Sequence, residues 1–497
     1  MPDLESLDAS HFFFHLFFGC NWPVSIVRQQ DAEFGPKVNS GVKSVPEGSG
    51  WKRLTETVGP ENVIFDTGPL RQRGWEGALP RACVTPLSCE QVCEVMRLAH
   101  AERWRVSPAG NSTKQRMGGI PQGIDLVLSL RRLNRVTDYQ PADLTVSVEA
   151  GLRMEELGAV LGAHGQMLPL DVPFAAGATV GGMMVTNGSG PRRLAYGSLR
   201  DMVIGVRFVT SEGKLVKSGG KVVKNVAGYD MAKILIGSFG TLGIITGATF
   251  KVFPIPPASI TFVLGFPTAE QALQARRHIL NSPIAPQALD LLDSAAGALI
   301  QKDVLSASPY TLVVAAAGPE AVVERVRREL PLLVRQDGLE KVSYLAGEPE
   351  AKLWSAIQDL TSTVIERSPD SAVVKASVLL SQVGSVIERA RQAGSDTGLA
   401  VATLARAGTG IVYCYLSPAS DADKGTSIEG TSKACEFLLE ETARLGGGAV
   451  VEWCPSEVKE KISLWAPLGD DFPMMQRLKA QLDPQGILNP GRLWGRI

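Results

Sequence analysis

Hydrophobic and polar positions along this chain follow two periods, and the switches between them divide it into elements. From Trp51 the stretch RLTETVGPENV reads as a short helix and a turn. PRACVTP reads as a strand, and Ser88 then precedes a helix with an apolar stripe at Val92, Val95, Met96 and Ala99. A serine followed three residues on by Gln91 is a capping-box pattern. RVSP is a further strand running into a loop at 109–119. IDLVLSL and LTVSVEAG read as strands, with RRLNRV between them, and residues 154–164 read as a helix. DMVIGVRFVTSEGKLVKSG is a hairpin turning at Glu212 and Gly213. Beyond about residue 257 the pattern is repetitive. ITFVLGF is followed by TAEQALQARRHILNS, YTLVVAAAG by PEAVVERVRREL, and SAVVKASV by VGSVIERARQAG. LAVATLARAGTGIVYCYL then reads as paired strands, and KACEFLLEETARLGG leads into AVVEWCP. Amphipathic helices alternating with strands in this way predict an antiparallel sheet covered by helices.

One region fits neither period. LPLDVPFAAGATVGGMMVTNGSGPRRLAYGSLRD, residues 168–201, is crowded with Gly, Ala, Ser and Thr yet carries the apolar run Met183, Met184, Val185. Side chains this small build no core. They let a backbone approach something large and flat. The loop after RVSP, with Pro108, Gly110, Asn111, Ser112 and Thr113, has the mix found where amides and hydroxyls surround a phosphate. Taken alone it suits an ordinary turn better. It is neither a Walker loop nor a dinucleotide fingerprint, since neither spacing occurs in the chain.

Composition narrows the class. A length of 497 residues implies two or three domains. Hydrophobic content of 44% and charged content of 20% are those of an ordinary globular chain. A net charge of −1 gives no reason to expect a nucleic-acid partner or an anionic membrane. Cysteines stand at 20, 83, 89, 93, 414, 435 and 454. That odd number and loose spacing argue against a disulfide framework and for a reducing compartment. No run of them suits an iron–sulfur cluster. Cys89 and Cys93 lie one helical turn apart, but no second pair accompanies them, so idle thiols are expected and no metal site. HFFFHLFFGCNWP at 11–23 is too short to span a bilayer, and Asp3, Glu5 and Asp8 are the wrong flank for a signal peptide. Residues 1–50 read as an extension, and no transmembrane segment is expected elsewhere.

Several segments then carry a resemblance, in order: PAGNST, ATVGGMMVTNGSG, YGSLRD, GSFGTLGIIT and, near the end, LDPQGILNPGRLW. Residues 78–256 resemble the FAD-binding domain of the vanillyl-alcohol-oxidase superfamily, the PCMH-type FAD domain. GGKVVKNVAGYDMAKILIGSFGTLGIIT is similar to one subgroup, the FAD-binding subunit of bacterial glycolate oxidase. The resemblance implies an α+β fold: a PCMH-type domain of two α/β subdomains over 51–256, a ferredoxin-like antiparallel cap over 257–455, and a return to the FAD domain over 456–497. It also implies how FAD is held. Pro108, Ala109, Gly110, Asn111, Ser112 and Thr113 would cradle the pyrophosphate. Ala178, Thr179, Gly181, Gly182, Ser189 and Gly190 would pass the ribityl chain and isoalloxazine, with Gly197 and Ser198 continuing that wall. Gly243, Ile244 and Ile245 would lie along the adenosine half. Relatives that attach FAD covalently do so through a histidine in the phosphate loop; here Asn111 and Ser112 stand there, which implies non-covalent FAD. Arg192, Arg193 and Arg200 are either anion binders or surface charges, and Asp201 a cap or an arginine partner. Lys224, Asn225, Tyr229 and Asp230 are expected to make structural hydrogen bonds between apolar strands.

Related D-2-hydroxy acid dehydrogenases carry several histidines and a glutamate in the cap that bind a divalent metal and supply a base. The histidines here are His11, His15, His100, His164 and His278, and none follows. No metal is therefore expected, and Arg406, Tyr413, Tyr415 and Glu452 on cap strands are the catalytic candidates. The resemblance implies the FAD-binding subunit of a cytoplasmic glycolate or D-2-hydroxy acid dehydrogenase complex, peripheral to the inner membrane through its partners. A second flavoprotein subunit and an iron–sulfur subunit would be those partners. A stand-alone dehydrogenase of another hydroxy acid or alcohol, and a structural FAD-binding subunit without turnover, are the alternatives.

Overall fold

The computed structural model describes residues 48–72, 74–220, 229–300, 305, 308–419 and 423–494. The aromatic segment at 11–23, and Lys224 and Asn225, lie outside the described residues.

The first sheet runs in the order Val63–Ile64, Ala82–Val84, Leu126–Ser129, Val106–Ala109. Its last three strands are parallel, which requires a crossover, and the helix Cys89–Glu102 provides one. Ser88 caps that helix, its hydroxyl accepting from Gln91 N–H at 3.3 Å. The Gln91 side chain accepts from Leu87 N–H at 2.7 Å and not from Ser88, so the reciprocal half of the capping box is displaced by one residue. A second sheet is antiparallel, in the order Val136–Gln140, Thr145–Glu149, Ile244–Lys251, Val203–Val209, Leu215–Gly219. The sequence pattern missed Val136–Gln140. It is an edge strand with no buried residue, so no apolar alternation marks it. The two sheets and the helices on them share one core, with Met96, Leu126, Leu157, Met183, Phe208 and Phe250 inside it. Each such side chain contributes roughly 1.5–3 kcal/mol by leaving water. The end of the chain closes this unit: Val106 N–H donates to Ile487 O at 2.7 Å and Asn489 N–H to Val106 O at 2.8 Å.

The third sheet has eight strands, all antiparallel to their neighbours. Its order is Lys341–Leu345, Ala258–Phe266, Tyr310–Gly318, Ala288–Asp293, Ala400–Arg406, Ile411–Ser417, Ala372–Ser377, Gly448–Trp453. Period-two alternation sends half the side chains to each face. One face packs Phe262, Phe266, Cys414 and Leu416 under the helices Ala269–Leu280, Glu320–Val334, Val383–Thr397 and Lys424–Arg444. The opposite face carries Leu292, Leu404, Tyr413 and Tyr415, partly covered by Leu353, Ile357 and Leu360. The same face is turned toward the first two sheets. Gln358 Nε2 donates to Val172 O at 2.8 Å, Phe174 N–H to Asp359 Oδ1 at 3.0 Å, and Arg116 Nη2 to Cys454 O at 3.3 Å.

The expectation for Tyr229 is corrected here: it is 90% exposed and packs between no strands. Asp230 is exposed too and does make a structural bond, accepting from Ala232 N–H at 3.1 Å to cap the helix Met231–Leu235.

Candidate active site

The strand Val106–Ala109 ends where the chain must turn, and the turn is unusual. Ser112 sits in the left-handed region at φ 61°, a conformation that costs a non-glycine residue free energy and is held only when its surroundings demand it. Among the described residues, the amides of Gly110, Asn111, Ser112 and Thr113 donate to no protein acceptor. Consecutive free amides in a turn form an anion cradle. The loop is fastened from outside. Asn111 Nδ2 donates to Gly177 O at 3.1 Å. A β-carbon on Gly110 would overlap Thr179 Oγ1 and sit 3.0 Å from Thr179 Cβ, so only glycine lets the two segments meet. Thr179 in turn caps the helix Val180–Val185, accepting from Gly182 N–H at 3.3 Å. On the far side Gly240 is pressed against the Pro108 ring, and Phe239 N–H donates to Val185 O at 3.0 Å. The loop 108–113 and the segments 177–182 and 237–243, far apart in sequence, thus converge.

The other positions named from sequence fall around this point. Ala178 is buried and its carbonyl accepts from Met154 N–H at 2.9 Å. Gly181 packs against Ala150. Ser189 is buried, and Gly190 lies against Asp171. Arg192 pairs with Asp171, so it is not a free anion binder. Burial alone would raise the Asp171 carboxyl, but the charge and hydrogen bonds of Arg192 outweigh it and hold the group below the usual carboxylate range. Gly197 precedes a capping box in which the Ser198 hydroxyl and amide both donate to Asp201 Oδ2 at 2.7 Å. Asp201 is therefore a cap, and Arg200 donates to Ile236 O at 3.1 Å. The Ile244 and Ile245 side chains are buried in the core, and Gly243 is buried too, where a β-carbon would meet Phe208 and Leu235, so this segment offers a ligand backbone atoms only.

The cap candidates share one face and one end of the large sheet. Tyr413 stands opposite Lys375 on one side and Leu404 on the other. Lys375 Nζ lies 3.0 Å from Glu452 Oε1, with both side chains less than a fifth exposed. Burial would lower the Lys375 ammonium, but Glu452 reverses the shift and carries it above the usual lysine range. Lys375 Nζ and the Arg406 guanidinium each lie 5.8 Å from the centroid of the Tyr413 ring. Arg406 is buried and paired with Asp290, whose carboxyl burial pushes up to about 6 against the pull of Arg406. Tyr415 is buried, its hydroxyl 3.1 Å from Thr361 Oγ1, and burial pushes its phenol well above the usual range.

Two cations that the sequence reading passed over complete the arrangement. Lys375 is the lone charge in the apolar strand Ala372–Ser377, a signal that was available. Lys114 directly follows Thr113, and its Nζ donates to Thr186 Oγ1 at 3.3 Å. Burial pushes the Lys114 ammonium down to about 8, with Glu452 opposing the shift and Lys375 adding to it. Lys114 thus ties the anion cradle electrostatically to the cap cluster. A cradle of free amides beside close-packed small residues, roofed by a charged sheet face, fits an extended dinucleotide with two phosphates and a planar ring.

The fold and this site define the class: a flavoprotein with a PCMH-type FAD-binding domain and an antiparallel cap. Comparison with known proteins agrees. Residues 80–219 match the FAD binding domain family, and residues 255–493 match the FAD linked oxidases, C-terminal domain. The chain is similar to glycolate oxidase subunit GlcD of Bacillus subtilis (strain 168), 26% identical over 460 residues, covering 90% of this chain and 96% of that one. It is 27% identical to the D-2-hydroxyglutarate dehydrogenase of Xanthomonas citri pv. viticola, covering 84% and 89%. Among solved structures, p-cresol methylhydroxylase superposes with a TM-score of 0.71 at 16% identity, covering 89% of this chain and 95% of that one. The 4-ethylphenol oxidase of Gulosibacter chungangensis gives 0.71 at 16%, covering 90% and 98%. The two matched families together span most of the chain, which is an FAD-dependent oxidoreductase built as an FAD binding domain followed by an FAD-linked oxidase C-terminal domain, with the fold of the vanillyl-alcohol-oxidase, PCMH-type flavoenzymes.

Proposed function

We propose that this chain oxidises a small 2-hydroxy acid such as glycolate or D-lactate. The observation that carries the reading is the charged face of the cap sheet, Lys375, Glu452, Arg406 and Tyr413, set beside Lys114 at the anion cradle. Bound FAD supplies a two-electron acceptor for the substrate C–H bond. Residues 51–256 and 456–497 would form the flavin-binding part and 257–455 the cap. The amides of Gly110, Asn111, Ser112 and Thr113 hold the pyrophosphate, with Pro108 and Ala109 leading into them. Ala178, Thr179, Gly181, Gly182, Ser189, Gly190, Gly197 and Ser198 border the ribityl chain and ring, and the backbone of Gly243, Ile244 and Ile245 borders the adenosine. Glu452, held in place by Lys375, takes the proton from the substrate hydroxyl. Arg406 and Tyr413 shape the pocket floor. Tyr415, committed to Thr361, has no part in proton transfer.

The reduced cofactor needs an outlet. We propose that the chain works as the flavin subunit of a glycolate or D-2-hydroxy acid dehydrogenase complex, beside a second flavoprotein subunit, and passes electrons to an iron–sulfur partner. The similarity to a protein named as a glycolate oxidase subunit supports this. No helix among the described residues is long and apolar enough to cross a membrane, so attachment to an inner membrane from the cytoplasmic side would go through those partners. The test of the site is Glu452→Gln in the FAD-loaded chain. Substrate-driven bleaching of the flavin should slow by about 10²–10⁴-fold, the usual contribution of a positioned general base. Bleaching at the wild-type rate would remove Glu452 from the mechanism.

A further inference from the structure

Lys114 carries a charge without a counter-charge. Its ammonium donates to Thr186 Oγ1 at 3.3 Å and lies over the backbone at Gly188, where a β-carbon would sit 3.5 Å away. An ammonium has three donors, and the others find no acceptor among the described residues. The charged groups that face it are Glu452 and Lys375, from two strands of the cap. Those two are paired with each other at 3.0 Å, so the Glu452 charge is already answered. The three groups together carry one unit of positive charge, and all three residues are partly withdrawn from solvent. A buried cation is costly unless a partner arrives to meet it. The flavin phosphates are not the obvious partner. The free amides of 110–113 already await them, whereas Lys114 extends away from that loop to Thr186 and the cap.

We propose that Lys114 binds the carboxylate of the hydroxy-acid substrate from the flavin side of the cleft, facing the Lys375–Glu452 pair, and thereby selects acids over neutral alcohols. This rests on the hydroxy-acid reading above. A pH signature follows. Lys114 loses its proton near pH 8, while Lys375 is held above the usual lysine range and stays charged there. Anion binding then weakens above pH 8, by up to about tenfold per pH unit, as one required proton is lost.

The test is calorimetric titration of the full-length, FAD-loaded chain with oxalate at pH 7 and pH 9, for wild type, Lys114→Gln and Lys114→Arg, with FAD content measured alongside. The wild type should bind oxalate and lose about tenfold in affinity at pH 9. K114Q should bind at least about tenfold more weakly at pH 7 while keeping its FAD. K114R, whose guanidinium stays protonated, should bind at both pH values with little difference. If K114Q fails to fold, an equal fall in the wild type and K114R between pH 7 and 9 overturns the proposal. So does K114Q binding oxalate as the wild type does, which sinks this inference alone. Loss of FAD from K114Q would assign the lysine to the cofactor and also overturn it. A wild type that binds no oxalate at either pH overturns this proposal together with the hydroxy-acid reading beneath it.

Discussion

Gly110 is where the account of the flavin site is most exposed to test. A β-carbon there would overlap Thr179 Oγ1 and lie 3.0 Å from both Thr179 Cβ and Cγ2. Thr179 cannot simply turn away, because its hydroxyl accepts from Gly182 N–H and caps the helix Val180–Val185. Overpacking of this kind costs about 1–3 kcal/mol. Where that cost falls can be argued from the loop. Without ligand its amides at 110–113 bond to nothing in the described protein, and the loop can relieve the strain by giving up the bond from Asn111 Nδ2 to Gly177 O, a loss of about 1 kcal/mol. Binding two phosphates requires the native loop, and the strain returns. Gly110→Ala should therefore leave the melting temperature of the apoprotein nearly unchanged while weakening FAD by roughly 5- to 150-fold, since each 1.4 kcal/mol is tenfold. Adding Thr179→Ala removes the worst overlap and should recover part of the loss, less about 1 kcal/mol for the missing cap. The assay is fluorescence titration of the apoprotein with FAD. Wild-type affinity in G110A would refute the claim that this loop must press on Thr179 to hold the cofactor. A large fall in apoprotein stability would refute the claim that the loop can move aside at little cost without it.

Other expectations are sharper in sign than in size. Asp171→Asn leaves Arg192 unpaired and should cost about 2–3 kcal/mol at pH 7, less than a fully buried pair because the Arg192 side chain is 34% exposed. The folded-state pKa of Asp171 is depressed, so its stabilisation exists above the unfolded value and is lost as pH falls; the gap between wild type and D171N in urea titrations should close below about pH 4. A gap that does not narrow as pH falls from 4 would mean that the pair is not its source. Tyr415→Phe deletes a hydroxyl committed to Thr361 and should cost about 1 kcal/mol of stability with turnover unchanged; collapse of turnover would return Tyr415 to the catalytic list. Lys375→Met leaves the Glu452 carboxylate partly buried and alone and should destabilise the cap, while the double variant with Glu452→Gln should be more stable than K375M in thermal melts. Equal melting of the single and double variants would show that the two groups do not interact.

Much of the fold was readable because its signals are local. The stripe Val92, Val95, Met96, Ala99 and the turn at Glu212 and Gly213 needed no tertiary information to place a helix and a hairpin. Val136–Gln140 escaped because an edge strand with no buried residue obeys no apolar period. The segments PAGNST and ATVGG drew attention for the opposite reason: they are poor in side chain and suit backbone that approaches a ligand, although PAGNST alone suited an ordinary turn better. What the sequence withheld was partnership. Nothing in PRRLAYG says that Arg192 is consumed by Asp171, whereas the cap at Asp201 was one of the two readings the sequence offered. Arg406, Tyr413, Tyr415 and Glu452 were marked as polar residues on strands, but only the register separates Tyr415, locked to Thr361, from Tyr413, set between two cations. Lys375 and Lys114 were missed although each stood out, one as a charge inside an apolar strand and the other at the end of the phosphate loop.

The central claim is that this chain, loaded with FAD, accepts electrons from a small 2-hydroxy acid without histidine-bound metal in its cap. The direct measurement is an anaerobic absorbance titration of the purified, metal-depleted chain with glycolate and with D-lactate, alone and with its co-purified partner subunits. The account predicts that the oxidised flavin band bleaches with at least one of these acids, in the lone chain or once the partners are present. A band that stays oxidised with both acids under both conditions, while dithionite still reduces it, would contradict the account.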